Sequence, residues 1–362
     1  MPQRSPFPTE VKPDWKAFVR ILRRQGAPSR VHYCELFLDG EIKDAICERY
    51  GLLDGLSPEE PWFSHVKEIR IQRFLGYDYV RCGVEGVAMT FNRHVAADTA
   101  GLTRAGGRGF IDEHTGPIAN WDEFEAYPWP DPAKITTKAL EWYQANLPDD
   151  MCVIGSGGFA HFAEHLSWLM GHETLCLALY ENPELVAAIR DRLVALHKKV
   201  VELMLQFDRV KVIWGSDDMG FRTGPLISPD QLREYVLPGH KLMAEMAHAA
   251  GRPYMLHSCG DLSTIMEDLI EGVKIDARHS FEDVIEPIEV AKQRWGHRVA
   301  LIGGIDVDFL CRKSEAEVRA RVRNVLKTCM PGGGYALGTG NSVANYIPVD
   351  NYLAMLDEGR KF

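Results

Sequence analysis

At 362 residues, 46% hydrophobic and 25% charged, the chain can bury a large core, which excludes a disordered polypeptide and fits one large α/β domain or two smaller ones. Its formal charge of −10 argues against nucleic acid or an anionic membrane surface as partner, because both would repel it. Eight scattered cysteines without a CxxC pair fit reduced thiols in a cytoplasm rather than a disulfide scaffold, and no run of about 18 apolar residues suggests a membrane span.

Residues 1–29 read as an N-terminal extension, polar and proline-rich near the start and without the apolar core of a signal peptide. Residues 30–362 read as a single (β/α)₈ barrel. Eight short apolar runs mark its strands: Arg30–Leu38, Tyr79–Gly83, Met151–Gly155, Val210–Gly215, Pro253–Leu256, Val273–Ala277, Val299–Ile302 and Gly334–Leu337. Between them lie helical patterns, such as Pro183–Phe207 and Pro229–Ala250, the second opening on a Ser228 cap with proline at the first helical position. Alternating strand and helix with continuously apolar strands favours a closed parallel barrel over an open doubly wound sheet. The Rossmann alternative lacks a GxGxxG after the first strand, and Gly155-Ser156-Gly157-Gly158 comes too late. The interval Val84–Asp149 is long and carries Phe91, Trp121, Phe124, Tyr127 and Trp129; its stretch Glu125–Pro132, with three prolines and two aromatics, reads as a structural clamp, and part of it is expected to lid the barrel mouth.

Active sites of such barrels sit at the C-terminal strand ends. The polar residues there are Glu35, Glu85, Ser156, Asp217 and Asp218, His257 and Cys259, His279 and Glu282, Asp306, and finally Thr339 and Asn341. In Tyr254-Met255-Leu256-His257-Ser258-Cys259-Gly260 an apolar run stops at a histidine and a cysteine two positions apart. On extended backbone these share a face, and imidazole with thiolate suits zinc. The bland alternative is a buried small cysteine beside a hydrogen-bonded core histidine. A catalytic zinc needs a third ligand, for which Asp218, Asp217, Glu282 and His279 are candidates. Asp217 alternatively serves as a general acid or base, and His279 as a proton donor, although a lone histidine after a strand is commonly structural. Asp306 in Gly303-Gly304-Ile305-Asp306 combines a close backbone approach with a carboxylate facing the pocket.

With these residues in view, the chain resembles the uroporphyrinogen decarboxylase superfamily, and within it the cobalamin-dependent methyltransferases. The resemblance rests on Ser216-Asp217-Asp218-Met219-Gly220 with Ile227-Ser228-Pro229, on His257-Ser258-Cys259-Gly260, on Leu301-Ile302-Gly303-Gly304-Ile305-Asp306, and on Gly338-Thr339-Gly340-Asn341. It implies a (β/α)₈ barrel. The decarboxylases carry an arginine-rich segment after the first strand, where this chain reads Cys34-Glu35-Leu36-Phe37-Leu38-Asp39-Gly40, and a histidine where Thr339 stands, so porphyrinogen decarboxylation is not expected. Methyltransferases acting on coenzyme M hold zinc with HxC and a further cysteine, and this chain has Asn341 at the latter place; either an acidic residue replaces that ligand or the metal is absent.

The resemblance implies a methyltransferase that takes a methyl group from a small methoxylated or methylated compound, uses zinc as Lewis acid, and delivers the methyl to cobalamin held by a separate corrinoid protein. In that reading Asp217, Glu35 and His279 are the catalytic candidates, and His257, Cys259, Asp218 and Glu282 the metal ligands. Asn341, Thr339 and Asp306 are the candidates for contacting the cofactor. No corrinoid-binding DxHxxG occurs; the nearest stretch is Asp112-Glu113-His114-Thr115-Gly116. A homodimer is compatible with the reading. The alternatives are a metal-independent decarboxylase or lyase using Asp217 as charge stabiliser, and a non-catalytic binder of a tetrapyrrole or corrinoid.

Overall fold

The structure, a computed structural model, describes residues 3–362. Its strands, in chain order, are β1 Tyr79–Cys82, β2 Arg93–Ala96, β3 Arg108–Ile111, β4 Cys152–Gly155, β5 Val210–Ser216, β6 Gly220–Phe221, β7 Gly224–Pro225, β8 Tyr254–His257, β9 Ala277–His279, β10 Ala300–Ile302 and β11 Tyr335–Ala336. Seven of them form one curled parallel sheet in the order β1-β4-β5-β8-β9-β10-β11, flanked by helices in the crossovers. Val210, Val212, Ile213 and Trp214 on β5 and Ala300, Leu301 and Ile302 on β10 are all buried, as strands covered on both faces must be.

The segment expected as the first strand is more loosely attached than the sequence suggests. It bridges in parallel to the far edge at Tyr33–Leu337 and Leu38–Val343. Toward β1 no backbone pairing joins it among the described residues; instead the Glu35 N–H donates to the Tyr79 hydroxyl at 2.9 Å. A buried tyrosine side chain thus occupies the place of a ladder, and the α/β barrel frame keeps a seam between its first and second strand positions.

Other boundaries moved for local reasons. Pro238 has no N–H to give to the carbonyl of Glu234, and the expected helix Pro229–Ala250 divides into Pro229–Tyr235 and Leu237–Ala249. Asp268–Val273 is a wide helical turn ended by Lys274 at φ 65°, so the strand expected from Val273 begins only at Ala277. The helix Trp15–Leu22 packs below the sheet, with Phe18 stacked on Tyr79 at 5.5 Å, and buried Asp78 accepts from Arg30 (2.5 Å), pairs with His32 (2.6 Å) and accepts from the Asp14 N–H (2.6 Å). The extension is therefore tied to the floor of the frame.

Between β1 and β4 lie the β2–β3 hairpin and the helices Trp121–Ala126 and Lys138–Asn146. Part of this interval is an aromatic clamp: Tyr127 and Trp129 meet at 4.7 Å, Phe124 and Trp129 at 5.7 Å, and the Tyr127 hydroxyl is bonded to both backbone groups of Thr90. Another part reaches the strand ends, where Arg104 pairs with Asp39 and Glu41 and the Asn345 amide donates to Asp98 and the Leu102 carbonyl. Asp112 accepts from the N–H groups of His114 and Thr115, so the Asp112–Gly116 stretch begins as an Asx turn.

Gly338-Thr339-Gly340 shows why a strand end needs glycine. A Cβ on Gly338 would lie 1.9 Å from the Cys34 carbonyl oxygen, and one on Gly340 2.1 Å from that of Phe281. The last strand end passes between two neighbouring backbones with no room for a side chain on those flanks.

Candidate active site at the strand ends

β8 ends on His257, and the chain stays extended long enough to bring the Cys259 Sγ to 3.5 Å from His257 Nε2. Asp218, just past the end of neighbouring β5, places Oδ1 3.3 Å from the same nitrogen and accepts the Cys259 N–H at 2.8 Å. One ligand atom from each of Asp218, His257 and Cys259 lies within 4.8 Å of the others. His257 is buried, whereas Asp218 and Cys259 are partly accessible. Burial raises the Asp218 carboxyl, but its bond to His257, that ring's charge and the Cys259 N–H outweigh burial and hold it well below the usual carboxylate range. Burial, with the Asp218 charge beside it, pushes the Cys259 thiol far up.

This donor set fits zinc on its chemistry: one nitrogen, one sulfur and one oxygen, three protein ligands with a fourth position left over. A second contact supports the fit. His257 Nδ1 lies 2.7 Å from His279 Nδ1, and burial keeps His279 neutral by lowering its pKa well below the ordinary value. With a metal ion bound, His257 would donate through Nδ1 in that contact and offer its Nε2 lone pair to the ion in place of the bond to Asp218, the arrangement that orients metal-bound histidines.

The remaining expected residues take other places. His279, expected as a proton donor, is fully buried behind His257 and packs edge-on to Trp214 at 5.6 Å. Asp217, expected as an acid or base, is also fully buried. Its oxygens accept the N–H groups of Ala163 and Glu164, both at 2.9 Å, at the start of the helix Phe162–Met170, and Oδ2 lies 2.8 Å from His240 Nε2. Adjacent carboxylates on an extended segment diverge, so Asp218 faces the cluster and Asp217 braces a helix terminus. Glu282 stays outside the grouped ligand atoms and lines a cavity of about 530 Å³ together with Asp306 and Asn341; burial, then the charges of Asp306 and Asp218, raise its carboxyl. Asp306 caps the helix Val307–Arg312 through the Phe309 N–H and also accepts the Asp283 N–H, both at 3.0 Å. The Asn341 side-chain amide donates to Cys259 Sγ at 3.2 Å, touching the cluster as a hydrogen-bond donor.

Glu35 and Thr339 form a buried pair. The Thr339 N–H donates to Glu35 Oε1 at 2.8 Å, and Thr339 Oγ1 lies within hydrogen-bond distance of Oε2. The Thr339 hydroxyl also donates to the Asn341 carbonyl at 3.0 Å. With the single hydroxyl proton on that carbonyl, the contact with Glu35 calls for the carboxyl's own proton. Burial, which pushes Glu35 up to about 8 against the two Thr339 bonds, supplies it at neutral pH.

Sequence reasoning missed three contributors. His161 and Glu164 pair at 2.6 Å just after the glycine-rich loop, and His161 stacks on His165 at 5.1 Å. Burial lowers His161, but the Glu164 bond and charge outweigh it and raise its pKa, with Asp217 and Asp218 adding to the field. The signal was a histidine and a glutamate three apart at a helix start. Ser280 donates to Cys259 Sγ at 3.4 Å from a backbone at φ 90°, and Ala160, before His161, sits at φ 56°. Non-glycine residues held in that region store strain and cluster at functional sites.

A family model described as uroporphyrinogen decarboxylase (URO-D) matches residues 78–362. The methylated-thiol–coenzyme M methyltransferase of Methanosarcina mazei is 32% identical over 129 residues, which make up 36% of this chain and 32% of that protein. The match thus spans about a third of the relative's length. The solved structure of a methyltransferase from Methanosarcina mazei aligns over 98% of this chain and 99% of its own, with a TM-score of 0.67 at 17% identity, a likeness of fold. No helix among the described residues is long and apolar enough to cross a membrane. A family model covering most of the chain, on a frame whose strand ends gather Asp218, His257 and Cys259, places it: the chain belongs to the uroporphyrinogen decarboxylase (URO-D) family, with its resemblances on the methyltransferase side.

Proposed function

We propose that the protein is a methyltransferase that moves a methyl group from a small methoxylated or methylated compound to the cob(I)alamin of a separate corrinoid protein. The observation that carries this reading is the grouping of Asp218, His257 and Cys259 at adjoining strand ends, with His279 behind the imidazole. These three residues would hold a zinc ion, which when bound supplies Lewis acidity toward the ether oxygen or thioether sulfur and makes it a better leaving group.

In the reaction the bond from methyl carbon to heteroatom breaks and a carbon–cobalt bond forms. The heteroatom leaves with its electron pair, and cobalt goes from the +1 to the +3 state. The leaving atom needs a proton. His161, whose pKa the bond and charge of Glu164 raise through its Nδ1, is the group we assign to this role through its Nε2. Asn341 and Ser280 hold Cys259 Sγ in place through their donated hydrogen bonds. Neutral Glu35 positions the Thr339–Asn341 strand end, and we assign it a positioning role.

A metal-free decarboxylase would need the Asp217 charge at the mouth; that carboxylate serves a helix terminus and His240 instead. The test of the proposal is methyl transfer from a panel of methyl ethers and thioethers to cob(I)alamin, followed by the optical change on methylation. Turnover that depends on Cys259 supports it. A zinc-loaded protein inert toward every ether and thioether, with and without a corrinoid protein, contradicts it.

A further inference from the structure

The polar neighbours of Cys259 Sγ fall into two pairs. His257 Nε2, at 3.5 Å, and the Asp218 carboxylate are its companions in the candidate metal cluster. The other two are donors from neighbouring strand ends: the Asn341 side-chain amide at 3.2 Å and the Ser280 hydroxyl at 3.4 Å. Both donors are fixed by the backbone around them. Ser280 is 4% exposed and sits at φ 90°, a region costly for any residue but glycine. The residues beside the donors are bonded to each other, the Phe281 N–H to the Gly340 carbonyl at 3.2 Å, and the Gly340 N–H donates to the Ile305 carbonyl at 2.7 Å. The Asn341 carbonyl accepts from the Thr339 hydroxyl at 3.0 Å. Three strand ends thus combine to aim two protic groups at one sulfur.

A cysteine that serves as a metal ligand is a thiolate, and a thiolate is also a nucleophile. The proposed reaction puts a methyl electrophile beside it, first on the oxygen or sulfur of the donor and afterwards on cobalt. Attack by Cys259 Sγ would form a carbon–sulfur bond and break the bond from the methyl carbon to its carrier, which would leave with the electron pair. Cys259 would become S-methylcysteine. The sulfur would lose its charge, and the site its anionic ligand, so a single such event would spoil it. Asn341 also lines the cavity of about 530 Å³ at the strand ends, so one of the two donors belongs both to the space open to a small molecule and to the sulfur that must not react with it.

We infer that Ser280 and Asn341 keep Cys259 from taking the methyl group: their hydrogen bonds draw on the lone pairs of Sγ that the metal ion leaves free, so that the sulfur serves as a ligand and cobalt as the acceptor. The inference deepens the methyltransferase reading, on which it rests, by naming two residues that decide which nucleophile is methylated. Hydrogen bonds to an ionised acceptor are about twice as strong as those between neutral groups, and attack on carbon would forfeit them as the sulfur loses its charge.

The test uses the zinc-loaded full-length protein, iodomethane as the probe and no corrinoid, with the methyl gain on the Cys259 peptide followed by mass spectrometry. Ser280→Ala and Asn341→Ala, compared at equal zinc content, should each be methylated at Cys259 about tenfold faster than the wild type, and the double variant faster still. Equal rates overturn the inference. So does a wild-type Cys259 methylated as fast as free glutathione at the same pH, a comparison that holds even if a variant fails to fold. Cobalt(II) in place of zinc gives a readout that lost shielding alone would not move: the sulfur-to-cobalt charge-transfer band should shift to longer wavelength in each variant as Sγ loses a hydrogen bond. Faster methylation with an unmoved band overturns the inference, because the side chains would then only block access. The two proposals separate: a shifted band and faster methylation in a protein that transfers no methyl to cob(I)alamin keep the protection and defeat the methyltransferase, whereas turnover with unmoved bands keeps the methyltransferase and defeats the protection.

Discussion

His279 Nδ1 stands 2.7 Å from His257 Nδ1, so a fully buried histidine backs the imidazole whose other nitrogen meets Asp218 and Cys259. Two nitrogens at that distance share one proton, and the one that donates decides which tautomer His257 presents. On this account His279 acts through His257. His279→Ala should weaken zinc binding by roughly 10–100-fold, the usual effect of losing such a partner. Competition with a chelator measures it. Unchanged affinity in a folded variant would mean that the contact only fills space.

Glu35 ties stability to pH. Its folded pKa, raised to about 8, lies above the ordinary carboxylate value, so between these two pH values the folded state holds a proton that the unfolded state has lost. Its neutral form is accommodated throughout this range, but folding stability falls as pH rises from about 4.5 to about 8 and then levels off. Glu35→Gln removes this dependence. Chemical denaturation at pH 5, 7 and 9 should therefore give a flatter profile for the variant, and parallel profiles would contradict the assignment.

The pair of His161 and Glu164 ties activity to pH. Glu164 raises His161, so the protonated imidazole persists to higher pH than an isolated one, and activity should fall as pH rises through that folded pKa. In Glu164→Gln the falling limb should move to lower pH, with a rate loss of about 10²-fold at neutral pH if the proton goes to the leaving group. A lowered rate with an unmoved limb would reduce the pair to a structural role.

The strand end at Gly338 tests the packing. A Cβ there would meet the Cys34 carbonyl oxygen at 1.9 Å. Gly338→Ala should cost about 3 kcal/mol. Gly272→Ala, where a Cβ meets nothing within 4 Å, should stay within roughly 0.5 kcal/mol. Thermal melts of the two variants compare them, and a Gly338→Ala as stable as the control would disprove the crowding.

Much of the frame could be read from periodicity, because strands buried on both faces, such as Val210–Trp214, are apolar without interruption. The seam could not. Residues 31–38 are apolar enough for a strand, and nothing in their order tells that the Tyr79 hydroxyl takes the Glu35 N–H in place of a backbone carbonyl. The pairing of His257 with Cys259 was legible because both come from one extended segment. Asp218 could not be chosen over Asp217 and Glu282, since that depends on which carboxylate a helix N-terminus captures, and the helix Phe162–Met170 lies more than fifty residues upstream.

The proposed function rests on a zinc ion held by Asp218, His257 and Cys259. Its most direct test is the metal content, by plasma mass spectrometry, of protein purified without an affinity metal, beside folded Cys259→Ser and Asp218→Asn variants. About one zinc per chain is expected in the parent protein, with loss of that zinc in both variants. A folded parent protein that takes up no zinc even on reconstitution, or variants that retain it, would rule out a zinc ion on these three residues.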